Sequence, residues 1–139
     1  MKDRADAILH RKQADYLETL LPARDPLLME MESFAAEHGH PIADPEVAQL
    51  IRGLVRVRRP RRVLEIGTNI GYSVVVIGRE CDEESVVESI EIDRNTLSTA
   101  RSFVERASLA CRVVFHEGAA LDLVDPFLSP VLQGCRSNS

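Results

Sequence analysis

The chain has 139 residues, 45% hydrophobic and 28% charged, a balance that suits one globular domain and excludes global disorder. No apolar run approaches the ~20 residues of a membrane span. The charged start Met1-Lys2-Asp3-Arg4 is unlike a secretory signal, so a cytoplasmic protein without membrane contact is expected. A net charge of −5 argues against a surface given over to nucleic acid, and Cys81, Cys111 and Cys135 form neither a CxxC pair nor a disulfide framework.

From Asp6 to Leu21, apolar residues recur at helical spacing (Ile8, Leu9, Tyr16, Leu17, Leu20, Leu21), and Pro22 ends the segment. A second helix is predicted from Pro26 to about His38, with Leu27, Leu28, Met31, Phe34 and Ala35 as its packing face and Gly39 as its terminator. The third begins with Asp44 as the cap, Pro45 at the first helical position and Glu46 in the first turn. Its apolar face reads Val47, Leu50, Ile51, Leu54 and Val55, and it should end near Val57, before Arg58-Arg59-Pro60. The period then changes. Arg62 to Ile66, Ser85 to Ile92 and Arg112 to His116 read as strands. Tyr72 to Glu80 and Arg94 to Ser108 read as helices, the first only weakly because of Val74-Val75-Val76 and Gly78. The expected class is α/β within one domain. Residues 1–57 form a helical leader, residues 58–124 a partial Rossmann-like βαβαβ parallel sheet, and residues 125–139 a tail.

The stretch that carries chemistry is Val63-Leu64-Glu65-Ile66-Gly67-Thr68-Asn69-Ile70-Gly71-Tyr72-Ser73. A buried strand ends in an acid, Gly67 permits a tight turn and close approach of a ligand, and a helix start follows with its unpaired amides. Open α/β sheets bind ligands at this carboxyl edge. The second strand ends in Ile90-Glu91-Ile92-Asp93, and a carboxylate there can accept both hydroxyls of a ribose. The spacing Glu-x-Gly-x-x-x-Gly, with Asn69 where a second glycine would stand, departs from the GxGxxG of nicotinamide dehydrogenases. No Gly-Lys-Ser/Thr follows to make a phosphate loop.

In these motifs the chain resembles class I S-adenosylmethionine-dependent methyltransferases, specifically the bacterial O-methyltransferases related to catechol and caffeoyl-CoA O-methyltransferases. The resemblance covers roughly residues 8 to 124. It rests on Pro41-Ile42, Pro45 to Leu50, Val63 to Thr68, Gly71-Tyr72-Ser73, Ile90 to Asp93, Ala100-Arg101 and Glu117-Gly118. It implies that Glu65, Gly67 and Thr68 line the methionine end of S-adenosylmethionine. It also places Gly71, Tyr72 and Ser73 beside that end at the helix start, Glu91 on the ribose, and Gly118 and Ala119 near the adenine. Where the family commonly shows Gly-Asp-Ala, this chain has Gly118-Ala119-Ala120, so one polar partner on the adenine side is replaced. The family sheet continues past a third strand, and its fourth strand carries carboxylates for a divalent metal. This chain offers only Asp122 and Asp125 late in its length, so metal ligands are expected to be absent and the fold to stop short of those strands. With the first strand central in the family topology, its other edge would lie open and favour a homo-oligomer paired through that edge.

The resemblance implies methyl transfer to a hydroxyl of a small aromatic or RNA acceptor. The alternative is a non-catalytic fragment that binds cofactor or pairs through its sheet edge. Six arginines in eleven residues (Arg52, Arg56, Arg58, Arg59, Arg61, Arg62) read either as a solvated helix end or as a phosphate-contacting patch, which leaves transfer RNA open as a partner. His116 is expected to be a strand-end residue, and no nucleophile or catalytic base is assigned.

Overall fold

The computed structural model describes residues 11–23 and 25–124. In chain order they form α1 (Arg11–Thr19), α2 (Pro26–His38), α3 (Pro45–Arg58), β1 (Arg62–Ile66), α4 (Tyr72–Gly78), β2 (Val86–Glu91), α5 (Arg94–Ala107), β3 (Arg112–Glu117) and α6 (Ala120–Leu123). The expected first turns of the leader at 6–10 and the tail at 125–139 lie outside the described residues. None of the described helices is long and apolar enough to cross a membrane.

The helix boundaries follow local chemistry. Asp25 caps α2 by accepting from the Leu27 amide at 2.8 Å, Pro26 takes the first position, and Gly39 closes the helix in the left-handed region. At α3 the expected cap is absent. Asp44 occupies the cap position with extended backbone, but its side chain makes no capping bond. The start of α3 is therefore left to the fixed φ of Pro45 and to Glu46 in the positive first turn. Helix α4 is a case of burial overriding propensity. Its three consecutive valines lose a few tenths of a kcal/mol each in a helix. All three are buried, and each buried valine gains about 1.5 kcal/mol or more. It is two residues shorter than expected, since Arg79 caps it and Glu80 turns back onto Ile77.

The three strands form one parallel sheet in the order β1-β2-β3, with Glu65 opposite Ser89 and Glu91 opposite Glu117. On its other side β1 has no neighbouring strand among the described residues. Helix α4 sits at the centre of the molecule. Tyr72, Val75 and Val76 join Met31 and Leu28 of α2 and Phe103 and Ala107 of α5 in one cluster. Val74 and Ile77 join Val55, Val87 and Cys111 in another. The leader and the sheet half thus share their core.

Helix α3 turns only part of its expected face inward. Ala48, Ile51 and Val55 pack inward, whereas Leu50 and Leu54 are 63% and 60% exposed and no described element covers them. The line at i, i+3 and i+7 that meets α4 begins at Ala48, one residue later than the expected stripe.

Four of the six clustered arginines meet acids. Arg52 and Arg56 converge on Glu80 at 2.7 and 2.5 Å, Arg61 reaches Glu84 at 2.8 Å, and Arg62 reaches Glu88 at 2.8 Å. Burial works against ionisation of Glu80, but the guanidinium groups of Arg56 and Arg52 outweigh it and hold its carboxyl below the usual range. His116 sits on Glu88 at 3.1 Å, a strand-to-strand contact between β3 and β2.

Candidate functional site

Past Ile66 the chain runs through Gly67, Thr68, Asn69 and Ile70 to Gly71, where α4 begins. Gly67 and Gly71 have φ of 90° and 83°, and Asn69 has φ of 49°, so three residues of this short loop are left-handed. The amides of Gly67 and Thr68 both donate to the Ile90 carbonyl, at 2.9 and 3.1 Å, which binds the loop to the end of β2. The two glycines serve different ends. A Cβ at Gly71 would stand 3.2 Å from the Ala100 Cβ of α5, whereas a Cβ at Gly67 would meet nothing within 4 Å. Gly71 is a packing residue, and Gly67 is backbone open to an incoming group.

Beside the loop, β1 delivers Glu65. Ser73, in the first turn of α4, donates to Oε1, and Ser89 of β2 donates to Oε2 at 2.5 Å. The Thr68 hydroxyl lies 2.6 Å from that of Ser89. A serine has one proton to give. Ser89 gives its proton to Glu65, so Thr68 donates to Ser89, and the chain Thr68–Ser89–Glu65 runs one way. Ser89 was not among the expected site residues. The signal available was a small polar residue within the β-rich run that ends in Glu91, two positions before that acid.

Burial pushes the Glu65 carboxyl above its usual range and the nearby Glu91 carboxylate adds to this, while the Ser73 and Ser89 hydroxyls pull it partly back. A carboxyl raised in the folded state binds its proton more tightly there than in the unfolded chain. Its contribution to stability is therefore present at low pH and lost as pH rises through the folded value. The expected result is that Glu65→Gln, which stays neutral, flattens the loss of stability as pH rises above the ordinary carboxyl range, followed by urea denaturation. An unchanged pH slope would refute the assignment.

Glu91 ends β2. Its Oε1 accepts from the amides of Ile92 and Asp93, each at 3.0 Å, and its Oε2 accepts from the Asn69 amide at 2.7 Å. Its own carbonyl accepts from the Gly118 amide at 2.9 Å, which brings the end of β3, Gly118 and Ala119, next to it. Asp93 caps α5 through the Thr96 amide at 2.6 Å, and that bond holds its carboxyl below the usual range.

The fold thus gathers Glu65, Gly67, Thr68 and Ser73 at the end of β1, and it ties Glu91 and Gly118 together at the ends of β2 and β3. Tyr72 is placed otherwise. Its ring is buried in the core, and its hydroxyl donates to Glu32 of α2 at 2.7 Å. The leader contributes two unanticipated neighbours, His40 and Pro41, which meet the Asn69 side chain. Among the described residues no group of three or more His, Cys, Asp or Glu side chains converges as metal ligands would.

Residues 22–133 match the family described as O-methyltransferase. The chain belongs to this family. It is 28% identical over 113 residues to tricin synthase 1 of Oryza sativa subsp. japonica, an alignment covering 80% of this chain and 45% of that protein. Among solved structures, a methyltransferase from Geobacter sulfurreducens is 30% identical with a TM-score of 0.77, covering 83% of this chain and 60% of its own. The O-methyltransferase from Bacillus cereus in complex with S-adenosylhomocysteine is 29% identical with a TM-score of 0.75, covering 85% of this chain and 55% of its own. The three-stranded parallel sheet of this O-methyltransferase-family chain is therefore part of a Rossmann-like fold. The chain spans about half the length of the curated relatives it matches.

Proposed function

We propose that this chain binds S-adenosylmethionine at the carboxyl ends of β1 and β2 and serves methyl transfer to a hydroxyl, on a small aromatic or RNA acceptor. The observation that carries the reading is the Glu91 carboxylate. Three backbone amides fix both of its oxygens; two of them fill Oε1, and Oε2, with one, keeps an open acceptor site. One hydroxyl of a vicinal ribose diol can donate to that site, and its neighbour can share Oε1 with the amides already there. The rest of the donor set suits the same ligand. Gly67 leaves room for close approach, and the half-buried Glu65 supplies an acidic group for the cationic methionine end. The Bacillus cereus relative was solved with the demethylated form of this cofactor.

When bound, the cofactor supplies an electrophilic methyl group on a sulfonium. This chain's residues bind and orient it: Glu91 holds the ribose, Glu65 with Ser73 and Ser89 faces the methionine end, and the Gly67–Gly71 loop shapes the floor. Positioning of this kind brings a bimolecular transfer under one roof and can supply several kcal/mol of the barrier. The described residues do not form a metal centre, and no step is assigned to one.

Calorimetric titration of S-adenosylmethionine and S-adenosylhomocysteine into the purified chain tests the binding, with Glu91→Ala as control. Saturable binding in the parent chain, lost in the variant, is expected; a folded parent chain that binds neither ligand refutes the reading. Methyl transfer to catechol, followed by product mass, tests the activity. Binding without product would restrict the function to holding the cofactor.

A further inference from the structure

Asn69 has an αL backbone, and its side chain is tied at both ends. Nδ2 donates to the Pro41 carbonyl at 2.6 Å, so Oδ1 is the acceptor in the second contact, and the proton there belongs to His40 Nδ1, 2.9 Å away. Both partners belong to the connection between α2 and α3. The amide of the same asparagine donates to Glu91 Oε2, the shortest of the three bonds on that carboxylate. Leader loop, Asn69 and Glu91 therefore form one continuous chain of hydrogen bonds. The leader end of that chain is itself anchored. The His40 ring stacks on Phe34 with centroids 5.8 Å apart, and Phe34 meets Phe103 of α5 edge-on at 5.5 Å.

We propose that Asn69 is a positioning residue: gripped by His40 and Pro41, it sets the Glu91 carboxylate to receive a vicinal ribose diol, so that the helical leader governs affinity for the nucleoside. This rests on the cofactor reading above and adds to it the residues that orient the ribose acceptor. The physical reason lies in how the two oxygens of Glu91 are held. Oε1 is fixed by amides of its own strand end, Ile92 and Asp93. Oε2 is fixed across the loop by Asn69. An αL asparagine released from its side-chain partners can leave that conformation. The carboxylate then keeps its hinge and loses its stop, and it no longer presents both oxygens to a diol in one orientation.

Three variants separate positioning from mere stability. Asn69→Gly retains the backbone N–H and reaches the left-handed conformation without strain but is free to leave it, so it removes only the side-chain grip. His40→Ala removes the donor, and His40→Gln returns a side-chain N–H. Each is titrated with S-adenosylhomocysteine and with its 2′-deoxy analogue. Asn69→Gly and His40→Ala are expected to weaken the parent ligand about tenfold, the scale for residues that orient a ligating group. His40→Gln should recover most of that loss, and the 2′-deoxy analogue, with no diol to orient, should be weakened far less. Equal losses for both ligands, or unchanged affinity in both Asn69→Gly and His40→Ala, would overturn the proposal while leaving the cofactor site standing. A parent chain that fails to bind S-adenosylhomocysteine would overturn the cofactor reading itself.

Discussion

Gly71→Ala is expected to destabilise the chain by about 3 kcal/mol, the sum of two separate costs. The first is conformational. Gly71 has φ of 83°, and a residue with a Cβ held there loses about 1–2 kcal/mol. The second is steric. The new methyl would stand 3.2 Å from the Ala100 Cβ, 3.3 Å from the Val104 Cγ2 and 3.4 Å from the Ala100 Cα. Part of that wall is backbone of α5, which cannot step aside as a flexible side-chain end would, and overpacking of this kind costs about 1–3 kcal/mol. A domain of this size has only about 5–15 kcal/mol in all, so a large share of its stability is at stake. Gly67→Ala makes the contrast within the same loop. Its φ of 90° carries a similar conformational cost, but its Cβ enters open space. It should lose about half as much stability and weaken S-adenosylmethionine more than its stability loss implies, because the ligand rather than α5 would meet the methyl. Urea midpoints for the two variants check the order, and equal losses would contradict the division of labour between the glycines.

Glu91→Ala is expected to weaken S-adenosylmethionine by about tenfold to a hundredfold, since a hydrogen bond to a charged acceptor contributes about 1.5–3 kcal/mol and the open site on Oε2 takes one. The same substitution leaves the amides of Asn69, Ile92 and Asp93 without their acceptor. Water can reach them at this exposed strand end, so the stability loss should be smaller than the loss in binding. Glu91→Gln is the sharper comparison. It fills the same space, but its NH2 group must point at one set of amide donors and repel them. It should bind about tenfold or more weaker than the parent. Parent-like affinity in Glu91→Gln would show that the charge and the second acceptor oxygen are unused, and the ribose assignment would fail with it.

Features that depend on neighbours along the chain were legible in the residues alone. The strands at Arg62–Ile66, Val86–Glu91 and Arg112–Glu117 follow from short β-rich runs between turn residues. The limits of α2 follow from Asp25-Pro26 and Gly39. Glu65 and Glu91 could be placed at strand ends because each acid sits at the end of such a run, and the alternation of strand and helix made the sheet parallel. The remainder was not legible in this way, because burial and long-range hydrogen bonds depend on partners that no local window contains. Val74-Val75-Val76 is helical because its burial outweighs its propensity. Helix α3 buries the line from Ala48 rather than from Val47 because α4 lies on that side. Tyr72 belongs to the core because Glu32, forty residues earlier, receives its hydroxyl. Ser89 joins the site because the register sets it against Glu65, and Asn69 reaches Glu91 with His40 and Pro41 at its back only when the leader folds over the loop.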